Sequence, residues 1–243
     1  MTENPFFEPW DTPFGLPPFE RIAPEHFPPA FDRGMAEQAA EIAAIAGSAQ
    51  LPDFANTIEA LERGGALLRR VGRVFNNLTS SATTAVLDAI DRDYAPKLAA
   101  HRIKIMLDPA LFARIDALWR GRDKLNLAED QRRLLERHHL NFVRSGALLD
   151  PVQKARMAEI SERLASLHTL FGQNVLHDED EWRLVLDAPD LAGLPDFARA
   201  AAAAAAKERG LDSRFVISLA RASVEPFLAF SARRDLRQAS YEA

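Results

Sequence analysis

The sequence predicts a mainly α protein: a multi-helix antiparallel bundle with a proline- and aromatic-rich N-terminal strap and a small two-stranded β-element near the C-terminus. Three observations predict it. Residues 3–31, ENPFFEPWDTPFGLPPFERIAPEHFPPAF, hold eight of the fifteen prolines and six of the fifteen phenylalanines. Apolar residues then recur at spacings of three and four as far as Asp178, the signature of amphipathic helices. Only two short runs beyond it, WRLVL at 182–186 and RFVISL at 214–219, are β-branched and strand-like.

The strap is expected to be anchored. A disordered leader would be poor in aromatics, since only buried apolar surface offsets the entropy of ordering a chain. Phe6, Phe7, Trp10, Phe14, Phe19, Phe27 and Phe31 are therefore expected to cover a helical body, with the prolines keeping the intervening backbone extended. Pro28 and Pro29 suit a first helical turn, and the helix they open runs to about Gly47. Asn56 and Glu59 fit a capping box for the next helix. In it Ile58, Leu61, Gly65, Leu68, Gly72 and Phe75 share a face; its two glycines signal either a close helix crossing or simple tolerance.

A third helix spans 84–107, with Leu87, Ile90, Tyr94, Leu98, His101 and Ile105 inward; Pro96 inside it implies a kink or two helices. Asp108 and Pro109 start a short helix ending near Gly121. Asn126 with Glu129 repeats the cap logic for a helix ending at Gly146. Asp150 and Pro151 open the longest helix, where Met157, Ile160, Leu164, Leu167, Phe171 and Val175 keep a coiled-coil-like spacing. Between the two strand-like runs, DFARAAAAAAAKERG is a helix of high intrinsic propensity that ends at Gly210. The organisation is residues 1–180, strap and bundle, followed by 181–243, a small α+β segment and the start of a further helix.

Bulk properties exclude several functions. The 243 residues carry 35 acidic and 30 basic side chains, interleaved, for a net charge of −5, which leaves no electrostatic footprint for nucleic acid. Cysteine is absent, so disulfides, thiolate metal sites and cysteine nucleophiles are absent too. The N-terminus lacks a signal peptide's basic and apolar regions, and no uncharged apolar run reaches the ~20 residues of a membrane span. A soluble, cytoplasmic protein is expected.

Candidate chemistry is sparse. The histidines at 26, 101, 138, 139, 168 and 177 never recur at the spacing of four that lets two imidazoles grip one metal. His101 and His138, on apolar helix faces, read as hydrogen-bonded core residues. The run HDEDE at 177–181 reads as a solvated charge cluster at a helix end. No G-x-S-x-G elbow occurs, Gly64, Gly65 and Gly72 belong to a helix and not to a phosphate loop, and Glu159 and Glu162 read as surface pairs with arginines such as Arg163. No catalytic, cofactor-binding or metal-binding residue is assigned.

Five strings nevertheless identify a likeness: the strap, NTIEALER, RRLLERHHLNFVRSGA, ERLASLHTLFGQNVL and SVEPFLAFSARRDLRQAS, in that order. Together they resemble the N-terminal portion of the thimet oligopeptidase family of zinc metallopeptidases, in its bacterial peptidyl-dipeptidase and oligopeptidase A branch. The strap, NFVRSGA at 141–147 and FGQNVL at 171–176 are its most specific parts. The resemblance implies an almost wholly helical protein in which two lobes flank a channel that admits short peptides and excludes folded ones. It also implies zinc held downstream by an H-E-x-x-H helix, a motif absent from these residues.

The expected role is thus that of a non-catalytic N-terminal fragment, excised or from an interrupted gene, inactive alone, that forms part of the channel wall of the full-length enzyme. Its expected partners are the C-terminal catalytic region and, in the parent, short peptides; bare apolar faces would favour self-association. The alternatives are a freestanding helical module that binds a protein or peptide without catalysis, and a small metalloenzyme using the scattered histidines.

Overall fold

A computed structural model describes residues 4–243 of the chain, so the first three residues of the strap and bundle segment lie outside the described residues. Residues up to Thr169 form one compact unit and Leu170–Ala243 a second. No helix among the described residues is long and apolar enough to cross a membrane.

In the first unit the strap is fastened at both ends. The Asn4 side chain accepts from the Phe6 amide at 3.0 Å and donates to the His26 carbonyl at 2.9 Å, tying the beginning of the strap to its end. Arg70, on a helix 64 residues away in sequence, donates to the Phe6 carbonyl at 2.8 Å and lies over the Trp10 ring. Phe6 is fully buried and its ring centroid is 5.2 Å from that of Phe27. The expectation fails for Phe14 and Phe19. Phe19 is 46% exposed and Phe14 fully so; Phe14 and Gly15 both adopt positive φ and close a tight turn, with the Thr12 hydroxyl donating to the Leu16 carbonyl. That turn carries the Phe14 ring away from the body.

Helix α1 (Phe27–Ala46) follows at once, its first turn primed by Pro28 and Pro29, and it ends at Gly47. Its N-terminal half joins α3 (Ala66–Ser81) and α4 (Ala85–Met106) in one core, where Phe31, Val71, Phe75 and Tyr94 are buried. The Tyr94 hydroxyl donates to the Pro28 carbonyl at 3.1 Å. Burial, then hydrogen bonding with Asp32, pushes its phenol up to about 12. The C-terminal half of α1 supplies Ile42 and Ile45 to a second core with α5 (Pro109–Gly121) and α6 (Glu129–Arg144), around Ile58, Ile115, Leu135 and Phe142.

Several expected boundaries move. The cap of the second helical segment is Asp53, not Asn56: its carboxylate accepts from the Asn56 amide at 2.6 Å, while Asn56 Oδ1 accepts back from the Asp53 amide at 3.0 Å. A π-helical turn (Phe54–Glu59) leads into the short α2 (Ala60–Arg63), and the helix breaks at Gly64 and Gly65. Gly65 sits at φ +70, its amide donating to Glu41 at 2.6 Å, and a Cβ there would collide with the Gln38 side chain. Gly72 faces open space, so it is tolerated only. The close helix crossing lies instead at Gly34 of α1, where a Cβ would stand 3.0 Å from the Leu68 backbone.

The Pro96 alternative resolves to one continuous α4, capped by the Thr84 hydroxyl. Helix α6 is capped at Ala128, whose amide donates to Gln131, and not at Asn126, which instead takes a left-handed turn at φ +48. Asp150 and Gln153 cap each other reciprocally to begin α7 (Pro151–Glu181), whose residues beyond Thr169 belong to the second unit.

The second unit contains the expected β-element. Strand β1 (Arg183–Leu186) pairs antiparallel with β2 (Phe215–Ser218), Leu184 opposite Ile217 and Leu186 opposite Phe215. Helix α8 (Asp196–Glu208) packs on them through Ala202 and Ala206, whose methyl side chains let the backbones approach closely. A helix not read from the sequence, α9 (Arg221–Phe230), contributes the fully buried Phe227, and α10 (Arg234–Glu242) follows. Gly193, at φ +88, lies where a Cβ would strike the Phe230 carbonyl. Arg233 bridges Asp190 and Asp235 and holds the Asp235 carboxyl at about 2.

Phe6→Ala is expected to lower unfolding free energy by about 3–5 kcal/mol, the cost of emptying a buried aromatic site. Phe14→Ser should leave it within about 0.5 kcal/mol. Urea denaturation of both variants checks the pair; equal effects would refute the reading that Phe6 anchors the strap and Phe14 does not.

Candidate functional site

Each histidine of the first unit below residue 140 has a structural partner. His26 Nδ1 accepts from the Ala23 amide at 3.0 Å, closing a turn of the strap. His101 hydrogen-bonds with Gln38 at 2.8 Å across α4 and α1. His138 reaches Glu62 at 2.7 Å, and His139 reaches Asp116 at 3.2 Å while stacking on Trp119 and Phe112. The bonds of His101, His138 and His139 each link two helical segments, and Asp116 also pairs with Arg120. His168 is exposed, and in the second unit His177 stands 3.4 Å from Glu181 on an open helix surface. The Asp180 side chain of that charge run lies outside the described residues.

Zinc takes three or four protein ligands. Among the described residues no three of histidine, cysteine, aspartate and glutamate converge on such a point. The donor set does not fit the zinc that the resemblance implies, and no hydrolytic step is built on these residues. Of the two carboxylates read as surface pairs, Glu159 bonds to Arg156 at 2.8 Å and not to Arg163, and Glu162 forms no ion pair among the described residues.

One buried polar centre escaped the sequence reading. Arg114 of α5 lies almost wholly inside the first unit, donating to the carbonyls of Ser48 and Gln50 at 3.1 and 2.9 Å and to Asn56 Oδ1 at 2.8 Å. Its Nε has no hydrogen-bond partner among the described residues. All three acceptors are neutral oxygens of the 48–56 loop, so this guanidinium acts as a tether that holds the loop over the second core. Its signal in the sequence was weak, since an arginine within ALFARIDALW reads as a surface residue.

The conspicuous surface is α7. None of its described side chains is buried. In the first unit its half-buried positions include Lys154, Ala158, Ser161 and Ala165, which are short or polar apart from a lysine that donates to the Leu107 carbonyl at 3.2 Å. The larger apolar residues point elsewhere: Ile160 is 40% exposed, Leu164 47% and Leu167 42%. In the second unit Phe171 is 71% exposed. The coiled-coil spacing is therefore present, but its large apolar side chains are left exposed among the described residues. Beside it in the first unit runs an open groove of about 390 Å³, with Ile103 and Met106 of α4 and Met157 and Leu164 of α7 along it and Arg102 and Arg144 at its rim.

The chain is 40% identical to dipeptidyl carboxypeptidase of Escherichia coli (strain K12) over 238 residues, covering 98% of this chain and 35% of that protein. Dipeptidyl carboxypeptidase of Salmonella typhimurium is 38% identical over 244 residues, with 100% and 36% covered. Oligopeptidase A of Escherichia coli is 27% identical over 233 residues. The chain thus spans about a third of the length of the curated relatives it matches. No family model matches it.

Burial, and secondarily the charge of Lys104, lowers the His101 pKa below its ordinary value of 6.5. As pH falls through 6.5 the unfolded chain takes up a proton that the folded chain still refuses, so this contribution to stability is intact above 6.5 and is lost below it. His101→Gln should therefore narrow the difference in urea midpoint between about pH 7.5 and pH 5.5. An NMR titration that put the His101 midpoint above 6.5 would contradict this assignment.

Proposed function

We propose, starting from a chain that belongs to the thimet oligopeptidase family, that it serves as the non-catalytic N-terminal part of a cytoplasmic zinc-dependent oligopeptidase of the peptidyl-dipeptidase and oligopeptidase A kind. The observation that carries this reading is the asymmetry of the match: nearly all of this chain aligns with about a third of each relative. The zinc, its ligands and the general base would be supplied by the remaining polypeptide.

The contribution of this chain is steric. Rigid helices that form part of a channel wall admit short flexible peptides and exclude folded ones. One observation also favours a second reading, a freestanding helical interaction module: the uncovered apolar face of α7 would suit an independent protein partner equally well.

Coexpression separates the two. The E. coli dipeptidyl carboxypeptidase polypeptide outside its matched third is produced with and without this chain, and cleavage of a short peptide is assayed. At least about a tenfold gain over either part alone, abolished by a chelator, is expected. No gain would overturn the peptidase reading in favour of the interaction module.

A further inference from the structure

The groove between α4 and α7 has the features of a helix-docking site. Met157 and Leu164, which line it, continue with Ile160 and Leu167 beside it in the alternating three-and-four spacing of coiled-coil core positions, a pattern matched by another helix laying its own apolar stripe alongside. A helix standing alone in water gains nothing from such a stripe, and leaving it open invites nonspecific association. Ala158, Ser161 and Ala165 are half-buried together with Met157, while Ile160, Leu164 and Leu167 stay exposed.

Charge narrows the occupant. The chain carries a net charge of −5, yet the groove is bordered by Arg102, Arg144 and His168, and Arg163 lies on the flank of the stripe. Arg102, Arg144 and Arg163 are exposed and have no hydrogen-bond or ion-pair partner among the described residues. An apolar floor with cationic rims fits an amphipathic helix whose apolar stripe is edged by aspartate and glutamate. The relatives carry about two thirds of their length beyond what this chain matches, which is polypeptide enough to supply it.

We propose that this groove is the docking site for one acid-edged amphipathic helix of the polypeptide that completes the peptidase. The inference rests on the proposed function and adds the surface through which the parts join.

The test uses the chain and, as probe, the separately purified E. coli dipeptidyl carboxypeptidase polypeptide outside its matched third, with binding followed by calorimetry and assembly state by light scattering. Leu164→Glu and the double variant Arg102→Glu with Arg144→Glu should each raise Kd at least about tenfold. Val86→Glu, on an exposed position of α4 outside the groove, should leave it within about twofold. The double variant alters only exposed side chains, so it keeps the test valid if Leu164→Glu fails to fold by circular dichroism.

Binding that ignores the groove variants would overturn this inference and leave the proposed function standing. A chain that instead dimerises, and loses the dimer on Leu164→Glu, would give the groove to a second copy and overturn the inference. A monomer that neither binds the probe nor restores peptide cleavage would overturn both.

Discussion

Five rings, those of Phe6, Phe27, Phe31, Phe75 and Tyr94, meet with neighbouring centroids 5.0–6.3 Å apart, and the first unit is organised around that contact. Phe27 and Phe31 stand one turn apart on α1, so fixing them fixes the direction of α1. Because α1 serves one core with its first half and a second core with its last, that direction also sets where α5 and α6 pack. The strap can afford its irregular path because proline has already removed much of its freedom in the unfolded state, which lowers the entropy lost on docking. Tilted and edge-on ring contacts then add specificity to what is otherwise nondirectional burial.

Polar groups in this chain are spent on position. Arg114 holds a loop, Arg70 holds the strap, Asn4 joins the ends of that strap, and the histidine pairs link helix to helix. A catalytic centre needs side chains held away from such partners and aimed at a common point. Large apolar side chains, Ile160, Leu164 and Leu167 in the first unit and Phe171 in the second, stand exposed on α7. The chain covers about a third of the length of its relatives.

Helices with strong local punctuation were legible from the sequence. Pro28 with Pro29, Asp108 with Pro109, and Asp150 with Pro151 mark starts that the structure reproduces, and the two β-branched runs pair as strands. Where two residues could serve as a cap, the choice depended on tertiary context: Asp53 prevailed over Asn56 because the Asn56 side chain also binds Arg114, 58 residues away. Gly65 read as helical because periodicity says nothing about φ, and the φ of +70 that favours glycine there is set by the break between α2 and α3. Helix α9 was hidden by its Pro226 and by its short length. The spacing of the α7 stripe was plain in the sequence, but whether a partner covers it is a property of neighbouring chain and not of spacing.

The strap leaves the ribosome before the helices that cover it and is satisfied late. The partner of the Phe6 carbonyl is Arg70, 64 residues on, and the partner of the Pro28 carbonyl is Tyr94, 66 residues on. At roughly 5–20 residues per second, the nascent segment waits about 3–13 s with its rings uncovered. An aromatic stretch held open that long is a hazard for intermolecular strand pairing, which requires an unbroken row of backbone amides. Prolines at 5, 9, 13, 17, 18 and 24 interrupt that row repeatedly. The residues that pre-shape the folded strap thereby also shield the unfinished polypeptide from aggregation during translation.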